Sequence, residues 1–187
     1  GSLWRTTNGG LSWNETTPKN VYHGITCLVQ DKRPGQSHVW YYGTGDPWAS
    51  ASGGSASYYT GQGMYKSLDS GLTWTLLPTT ATGNLQTFDN IWDIIYRIVP
   101  DPTDTVQDVV YAATYGGIHR SIDGGNTWSM VRGSSSSSPY FSNVELTSTG
   151  IFYATLSSDG LHGGIWRSTD GINYINILPA NFPAVYE

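Results

Sequence analysis

Short runs in which apolar and polar residues alternate recur along this chain in a fixed order. Leu3-Trp4-Arg5, Met64-Tyr65-Lys66, Ile118-His119-Arg120 and Ile165-Trp166-Arg167 each lead into a polar cluster built on Asp or Asn and Gly. Beyond three of those clusters the alternation resumes, as Thr73-Trp74-Thr75-Leu76-Leu77, Thr127-Trp128-Ser129-Met130-Val131 and Tyr174-Ile175-Asn176-Ile177-Leu178. Period-two alternation rich in aromatic and β-branched residues is the mark of a strand, and an Asp/Gly cluster between two such runs is the mark of a turn. Each place is therefore predicted to be a β-hairpin. Two more strand-like runs precede each complete hairpin, at 24–30 and 39–44, at 94–99 and 109–114, and at 144–148 and 151–156. No stretch follows a helical period.

The polar clusters are copies of one phrase. It reads Thr6-Thr7-Asn8-Gly9-Gly10-Leu11-Ser12-Trp13, then Ser67-Leu68-Asp69-Ser70-Gly71-Leu72-Thr73-Trp74, then Ser121-Ile122-Asp123-Gly124-Gly125-Asn126-Thr127-Trp128. A shorter copy, Ser168-Thr169-Asp170-Gly171-Ile172-Asn173-Tyr174, has Tyr in place of Trp. Recurrence at a period of roughly 45 to 60 residues marks a repeat architecture. Asp69, Asp123 and Asp170 can accept bonds from backbone N–H groups of their own turn, and Asn8 can do the same. Gly supplies the positive φ of the bend, and Trp13, Trp74 and Trp128 offer a large apolar face to wedge between sheets. These residues are read as fold-building, with no metal or catalytic role. The shortened copy is expected to leave its junction less well packed.

Four antiparallel strands per unit, with units in series, predict an all-β chain: a β-propeller segment of about three and a half four-stranded blades. Residues 1–17 supply the last two strands of a blade, 24–78, 93–132 and 143–179 are blades, and 180–187 begins the next connection. Gly1-Ser2 aligns with Gly163-Gly164 and so belongs to the repeat. Closed propellers have roughly 4 to 8 blades, and an open stack leaves unpaired sheet edges. Three explanations stand: a segment of a longer propeller, completion by a second copy of the chain, or a truncated chain.

The phrase Ser/Thr-x-Asp-x-Gly-x-Thr/Ser-Trp on a strand–turn–strand resembles the Asp-box, or bacterial neuraminidase repeat. The fuller unit holds Asp101-Pro102, then Val110-Tyr111-Ala112-Ala113-Thr114, then Gly116-Gly117-Ile118-His119-Arg120-Ser121-Ile122-Asp123-Gly124-Gly125-Asn126-Thr127-Trp128. It is most similar to the sortilin and xyloglucanase branch of that repeat. Tyr42-Gly43-Thr44-Gly45-Asp46 with Gly61-Gln62-Gly63-Met64-Tyr65-Lys66-Ser67 resembles large secreted bacterial propellers. The resemblance implies a secreted or cell-surface protein and covers nearly the whole chain. It says little about activity, because this fold hosts many.

Composition narrows the function classes. Charged residues make up 12%, the net charge is −5, and aromatics reach 13% with eight Trp and thirteen Tyr. Without a basic run interleaved with aromatics, nucleic acid is not an expected partner. No stretch approaches the roughly 20 apolar residues that span a bilayer. The single cysteine, Cys27, lies on an apolar strand where a buried, inert thiol is the ordinary state. The four His, at 23, 38, 119 and 162, lack metal-ligand spacing, so neither metal nor cofactor is expected.

In a four-stranded blade the 3–4 turns, which carry the repeated phrase, share a face with the 1–2 turns. A ligand then belongs on the opposite face, on the 2–3 and 4–1 loops. The longest of these offers Asp46, Trp48, Tyr58 and Tyr59. The linker before the next blade offers Asp89, Trp92 and Asp93, and another loop offers Tyr22 and His23. Flat aromatic faces beside Asp and Asn are what sugar recognition needs. The alternative for Trp48 and Trp92 is packing within their own loops. Two functions compete. One is a non-catalytic scaffold or binding module for glycan or protein, with the rest of a larger propeller or a second copy as partner. The other is part of a glycoside hydrolase, xyloglucanase-like before sialidase-like. For hydrolysis two carboxyl groups about 5 to 9.5 Å apart are required, with Asp46 and Asp93 as weak candidates and Asp89 nearby. A sialidase would need a converging arginine trio, whereas Arg5, Arg120 and Arg167 are repeat-equivalent and Arg97-Ile98-Val99-Pro100 only approximates the sialidase signature. Peptide binding of the sortilin type is a third reading, without the cysteine-rich module that accompanies it.

Overall fold

In the computed structural model the described residues are 1–19, 24–46, 59–84, 87–134, 141–157 and 162–181. Strand β1 (Trp4–Arg5) pairs with β2 (Asn14–Glu15) as a two-stranded hairpin. Three four-stranded antiparallel sheets follow. The first holds β3 (Ile25–Gln30), β4 (Trp40–Thr44), β5 (Met64–Ser67) and β6 (Thr75–Leu76). The second holds β7 (Ile95–Pro100), β8 (Val110–Thr114), β9 (Gly117–Ser121) and β10 (Ser129–Gly133). The third holds β11 (Ser142–Leu146), β12 (Phe152–Leu156), β13 (Gly164–Ser168) and β14 (Ile175–Asn176). Each sheet is a meander with its strands in chain order, and the innermost strands pack in succession, β3 on β7 and β7 on β11. This is the stacking of propeller blades. The only helical pieces among the described residues are single 3-10 turns at Pro78–Thr80 and Ile91–Asp93, in the linker between the first two sheets.

Two apolar cores fill the junctions. Strand β8 shows how one strand serves both: Val110 and Ala112 face the first core, while Tyr111 and Ala113 face the second, all at most 1% exposed. A strand covered on both faces reads as a continuous apolar run, as 109–113 does. The first core joins Tyr41 and Met64 of one sheet to Ile95 and Ile98 of the next. Gly43 lies where a Cβ would come within 2.7 Å of Ile95 Cγ2, so the inner strands approach too closely for any side chain there.

The repeated turns follow one hydrogen-bonding scheme. Ser67 Oγ donates to Asp69 Oδ1 (2.7 Å), and Oδ1 accepts the amides of Leu72 and Thr73 at 3.0 and 2.9 Å. The Thr73 hydroxyl donates to Oδ2 at 2.6 Å. Asp123 repeats this with Ser121 and Thr127. Asn8 substitutes faithfully, its Oδ1 accepting from the Thr6 hydroxyl and the Ser12 amide while its Nδ2 donates to Ser12 Oγ. In the short copy the side-chain amide of Asn173 replaces the threonine hydroxyl on Asp170 Oδ2. Tyr174 packs against the second core where the longer copies bring Trp, and Val109 and Val144 beneath it are fully buried. The shortened junction is therefore closed, against the expectation from its lost Trp.

Polar staples tie the sheets together around the turns. The cations ending the first two third-strand runs reach the next sheet's turn: Arg5 Nε donates to Ser70 O (2.8 Å) and Lys66 Nζ to Gly124 O (3.0 Å). Buried Arg33 bridges buried Asp31 to Asp108 of the second sheet and also donates to Gln107 O at 2.9 Å. Exposed Arg97 and Glu145 pair at 2.6 Å between β7 and β11.

Candidate functional site

The antiparallel pairing places the β4–β5 connection and the linker after β6 at the end of the first sheet opposite the repeated turn. Asp46 and Tyr59 close the base of that connection. The Asp46 amide donates to Tyr59 O at 2.8 Å, and the Tyr59 amide donates to Asp46 O at 3.0 Å. Directly opposed residues of an antiparallel pair project to one side. A carboxylate thus stands beside an aromatic ring that is 66% exposed. Thr44 supports this base from below, accepting the Gln62 amide and donating to Gly63 O at 2.6 Å.

The linker to the second sheet rises against this base. The Gly61 amide donates to Asp93 O (2.6 Å), and Gly45, at φ +107°, would clash with the same carbonyl if it carried a Cβ. Asp93 is fully buried and belongs to a capping box: Oδ2 accepts the amides of Asp89 (2.9 Å) and Asn90 (2.8 Å), while Asn90 Oδ1 accepts the Trp92 amide (3.0 Å). Burial pushes the Asp93 carboxyl up, and the amides of Asn90 and Asp89 with the Thr82 hydroxyl work against it. Asp93 holds the linker's shape and does not face solvent, so it leaves the set of candidate acids. Trp92 leaves the ligand set for the same reason. It is 7% exposed in the first core, tilted against His119 and Trp128 with ring centroids 4.8 and 5.1 Å away.

Asp89 remains exposed at the top of this linker, and beside it Phe88 packs on Tyr115 with ring centroids 4.1 Å apart. Asp46, Tyr59, Asp89 and the Phe88–Tyr115 pair therefore share one face of the junction between the first and second sheets. Tyr115 was missed in the sequence because it reads as the end of a strand; its place just past β8, matching Gly45 past β4, was the available signal. Trp48, Tyr58, Tyr22 and His23 lie outside the described residues, as do Ser135 to Ser138, Tyr140 and Asp159. Cys27 packs against the first core, and burial pushes its thiol up. No group of three or more His, Cys, Asp or Glu among the described residues can hold a metal ion, and no described helix is long and apolar enough to cross a membrane.

Comparison with solved structures shows a β-propeller fold shared with glycoside hydrolases. The chain is similar to the GH74 enzyme of Niastella koreensis, with TM-score 0.64 and 20% identity over 96% of this chain and 26% of that one. It is similar to the GH74 xyloglucanase of Xanthomonas campestris, with TM-score 0.61 and 18% identity over 99% of this chain and 27% of that one. An ancestral GH74 enzyme matches with TM-score 0.58 and 19% identity, over 95% of this chain and 21% of that one. The chain thus spans about a quarter of the length of these enzymes. At this identity the likeness shows the fold alone. No family model and no curated protein matches the chain.

Proposed function

We propose that this chain is a polysaccharide-binding arc of a secreted propeller, engaging glycan on the face built from the β4–β5 connection and the β6–β7 linker. The observation that carries the reading is the Asp46–Tyr59 pair: an exposed ring for stacking on a pyranose face, beside a carboxylate that accepts sugar hydroxyls. Asp89 and the Phe88–Tyr115 pair extend the same face along the junction. On this reading the four turns are Asp-box turns and the ligand is a β-glucan such as xyloglucan, the polymer named for one of the similar enzymes.

The test is affinity electrophoresis of the chain in gels containing xyloglucan. Tyr59→Ala is expected to weaken retardation at least about fivefold, taking the roughly 1–3 kcal/mol that a base stacked on one aromatic ring contributes as the scale for a pyranose face. Asp46→Asn should weaken it less. Retardation equal to wild type in both variants discards the surface.

A second reading rests on the likeness to hydrolase propellers. Among the described residues of this face Asp46 is a partly exposed acid and Asp89 an exposed one, and a glycosidase needs two carboxyl groups. Release of reducing ends from xyloglucan, lost in Asp46→Asn, would favour catalysis over binding alone.

A further inference from the structure

The first of the four turns differs from the others in a way that invites chemistry. Asn8-Gly9 is the only Asn-Gly pair in the chain, and every other asparagine is followed by a residue with a side chain. With no Cβ between them, the main-chain nitrogen of a glycine can approach the side-chain carbonyl carbon of the asparagine before it. Both residues are exposed, and a Cβ built on Gly9 would meet nothing within 4 Å. In the later copies the nitrogen in the place of Gly9 is occupied. Ser70 donates to His38 O at 2.8 Å, Gly124 to Asp108 O at 2.8 Å and Gly171 to Ser168 Oγ at 2.9 Å. The Gly9 N–H has no acceptor among the described residues. The later copies also carry a carboxylate, which has no amine to lose.

The turn prepares the other reactant as well. Asn8 Oδ1 accepts from the Thr6 hydroxyl (2.9 Å) and the Ser12 amide (3.0 Å). Two donors therefore already point at the oxygen that takes negative charge when a nucleophile adds to Asn8 Cγ. The Thr6 hydroxyl is fixed in turn by accepting the amides of Gly10 (2.9 Å) and Asn8 (3.3 Å). Asn8 Nδ2, the group that would leave, donates to Ser12 Oγ at 2.8 Å.

We infer that the first turn is a self-modifying site, at which Asn8 is converted to aspartate with water as the only other reactant. The Gly9 nitrogen gives its proton to solvent and bonds to Asn8 Cγ. The Cγ–Nδ2 bond breaks, and Nδ2 takes up a proton from solvent and leaves as ammonia. Water then opens the five-membered imide ring. Opening at Cγ gives aspartate on an unchanged main chain, whereas opening at the Asn8 carbonyl carbon routes the chain through Cγ as isoaspartate. Aspartate finds its partners in place. Oδ1 keeps the Thr6 hydroxyl and the Ser12 amide, and the Ser12 hydroxyl turns to donate to Oδ2, as Thr73 and Thr127 do to Asp69 and Asp123 at 2.6 Å. Isoaspartate lengthens the main chain by one carbon and shifts the carboxylate, which breaks that pattern. Conversion completes the carboxylate series of Asp69, Asp123 and Asp170 and takes the net charge one unit below −5.

The experiment holds the 187-residue chain in mildly alkaline buffer, folded and in urea. It follows ammonia release, the acidic shift on isoelectric focusing and peptide mass, with isoaspartate scored by enzymatic methyl transfer. In the folded chain Asn8 is expected to convert at least about tenfold faster than any other asparagine, and no slower than in urea, with aspartate exceeding isoaspartate. Thr6→Val removes one donor and should slow the folded chain at least about threefold while leaving the rate in urea unchanged. Thr6→Ser, which keeps the hydroxyl, should keep the rate. Asn8→Asp should release no ammonia from this turn and melt no lower than wild type. Conversion at Asn8 that is slower in the folded chain than in urea overturns the proposal, as does equal behaviour of Thr6→Val and Thr6→Ser. Isoaspartate as the main product, or a lowered thermal midpoint in Asn8→Asp, overturns it too.

Discussion

His119 should make the stability of this fold fall in mild acid. The residue is 4% exposed, its Nε2 is buried with no hydrogen-bond partner, and its ring leans on Trp92 at 4.8 Å between centroids. It fills the third-strand position taken by Tyr65 and Trp166 in the neighbouring sheets, so it serves there as an aromatic filler. Burial holds its pKa down at about 4, against 6.5 for a free imidazole. The unfolded chain therefore binds a proton between those values that the folded chain refuses. Stability contributed by the neutral ring is complete above about pH 6.5 and is lost as the pH falls toward about 4. At about 1.36 kcal/mol per pH unit the loss is about 2 kcal/mol at pH 5 and about 3 kcal/mol at pH 4.

The perturbation that isolates this effect is His119→Phe, which keeps an aromatic ring against Trp92 and cannot titrate. Urea unfolding at several pH values from about 7.5 to 4.5 gives the difference between wild type and variant, in which the remaining histidines and the carboxylates cancel. The variant's advantage should grow by about 2 kcal/mol between pH 7 and pH 5. A parallel pair of stability–pH curves refutes the reasoning, and so does an imidazole Cε1 resonance of His119 that titrates near 6.5 in the folded protein.

Arg33→Met leaves Asp31 fully buried without its partner and cuts the tie to Asp108, so a loss of about 3–5 kcal/mol is expected in urea unfolding. Asp123→Ala removes the acceptor of the third turn and should cost about 1 kcal/mol, while Asp123→Asn should cost less, because Asn8 already performs the role in the first copy; both are read as shifts in thermal midpoint. At Asp123 burial works to raise the pKa, but the Thr127 hydroxyl and amide and Ser121 prevail and hold it at about 2. The wild-type advantage over Asp123→Ala is therefore present above about pH 4 and fades as pH drops toward 2. Ser70 is the one described non-glycine residue with positive φ (61°), where the first and third turns carry Gly9 and Gly124, so Ser70→Gly should stabilise by up to about 1 kcal/mol in the same assay.

Strand positions and the turn scheme were legible because they rest on local chemistry. Alternation places side chains on two faces whatever lies beyond, and the Ser–x–Asp–x–Gly order brings donors and acceptor within one bend. The shortened turn was misjudged for the opposite reason. Its junction depends on Tyr111, Phe152 and Tyr174 meeting across two sheets, and counting residues in one loop carries no information about that meeting.

The linker residues show the same divide within four positions. Asn90-Ile91-Trp92-Asp93 is at once a capping box, Asn followed three residues later by an acid, and a cluster of acid and aromatic suited to sugar. Side-chain chemistry is identical in the two uses. What separates them is where the carboxylate lies. Asp93 spends Oδ2 on the amides of Asp89 and Asn90 and lies in the protein interior, whereas Asp46, paired with Tyr59 through main-chain bonds, is partly exposed. Asp46 sits at a strand end beside Gly45, whose φ is positive, and its partial exposure makes it a better prospect for a ligand than Asp93, which is fully buried three residues past an Asn.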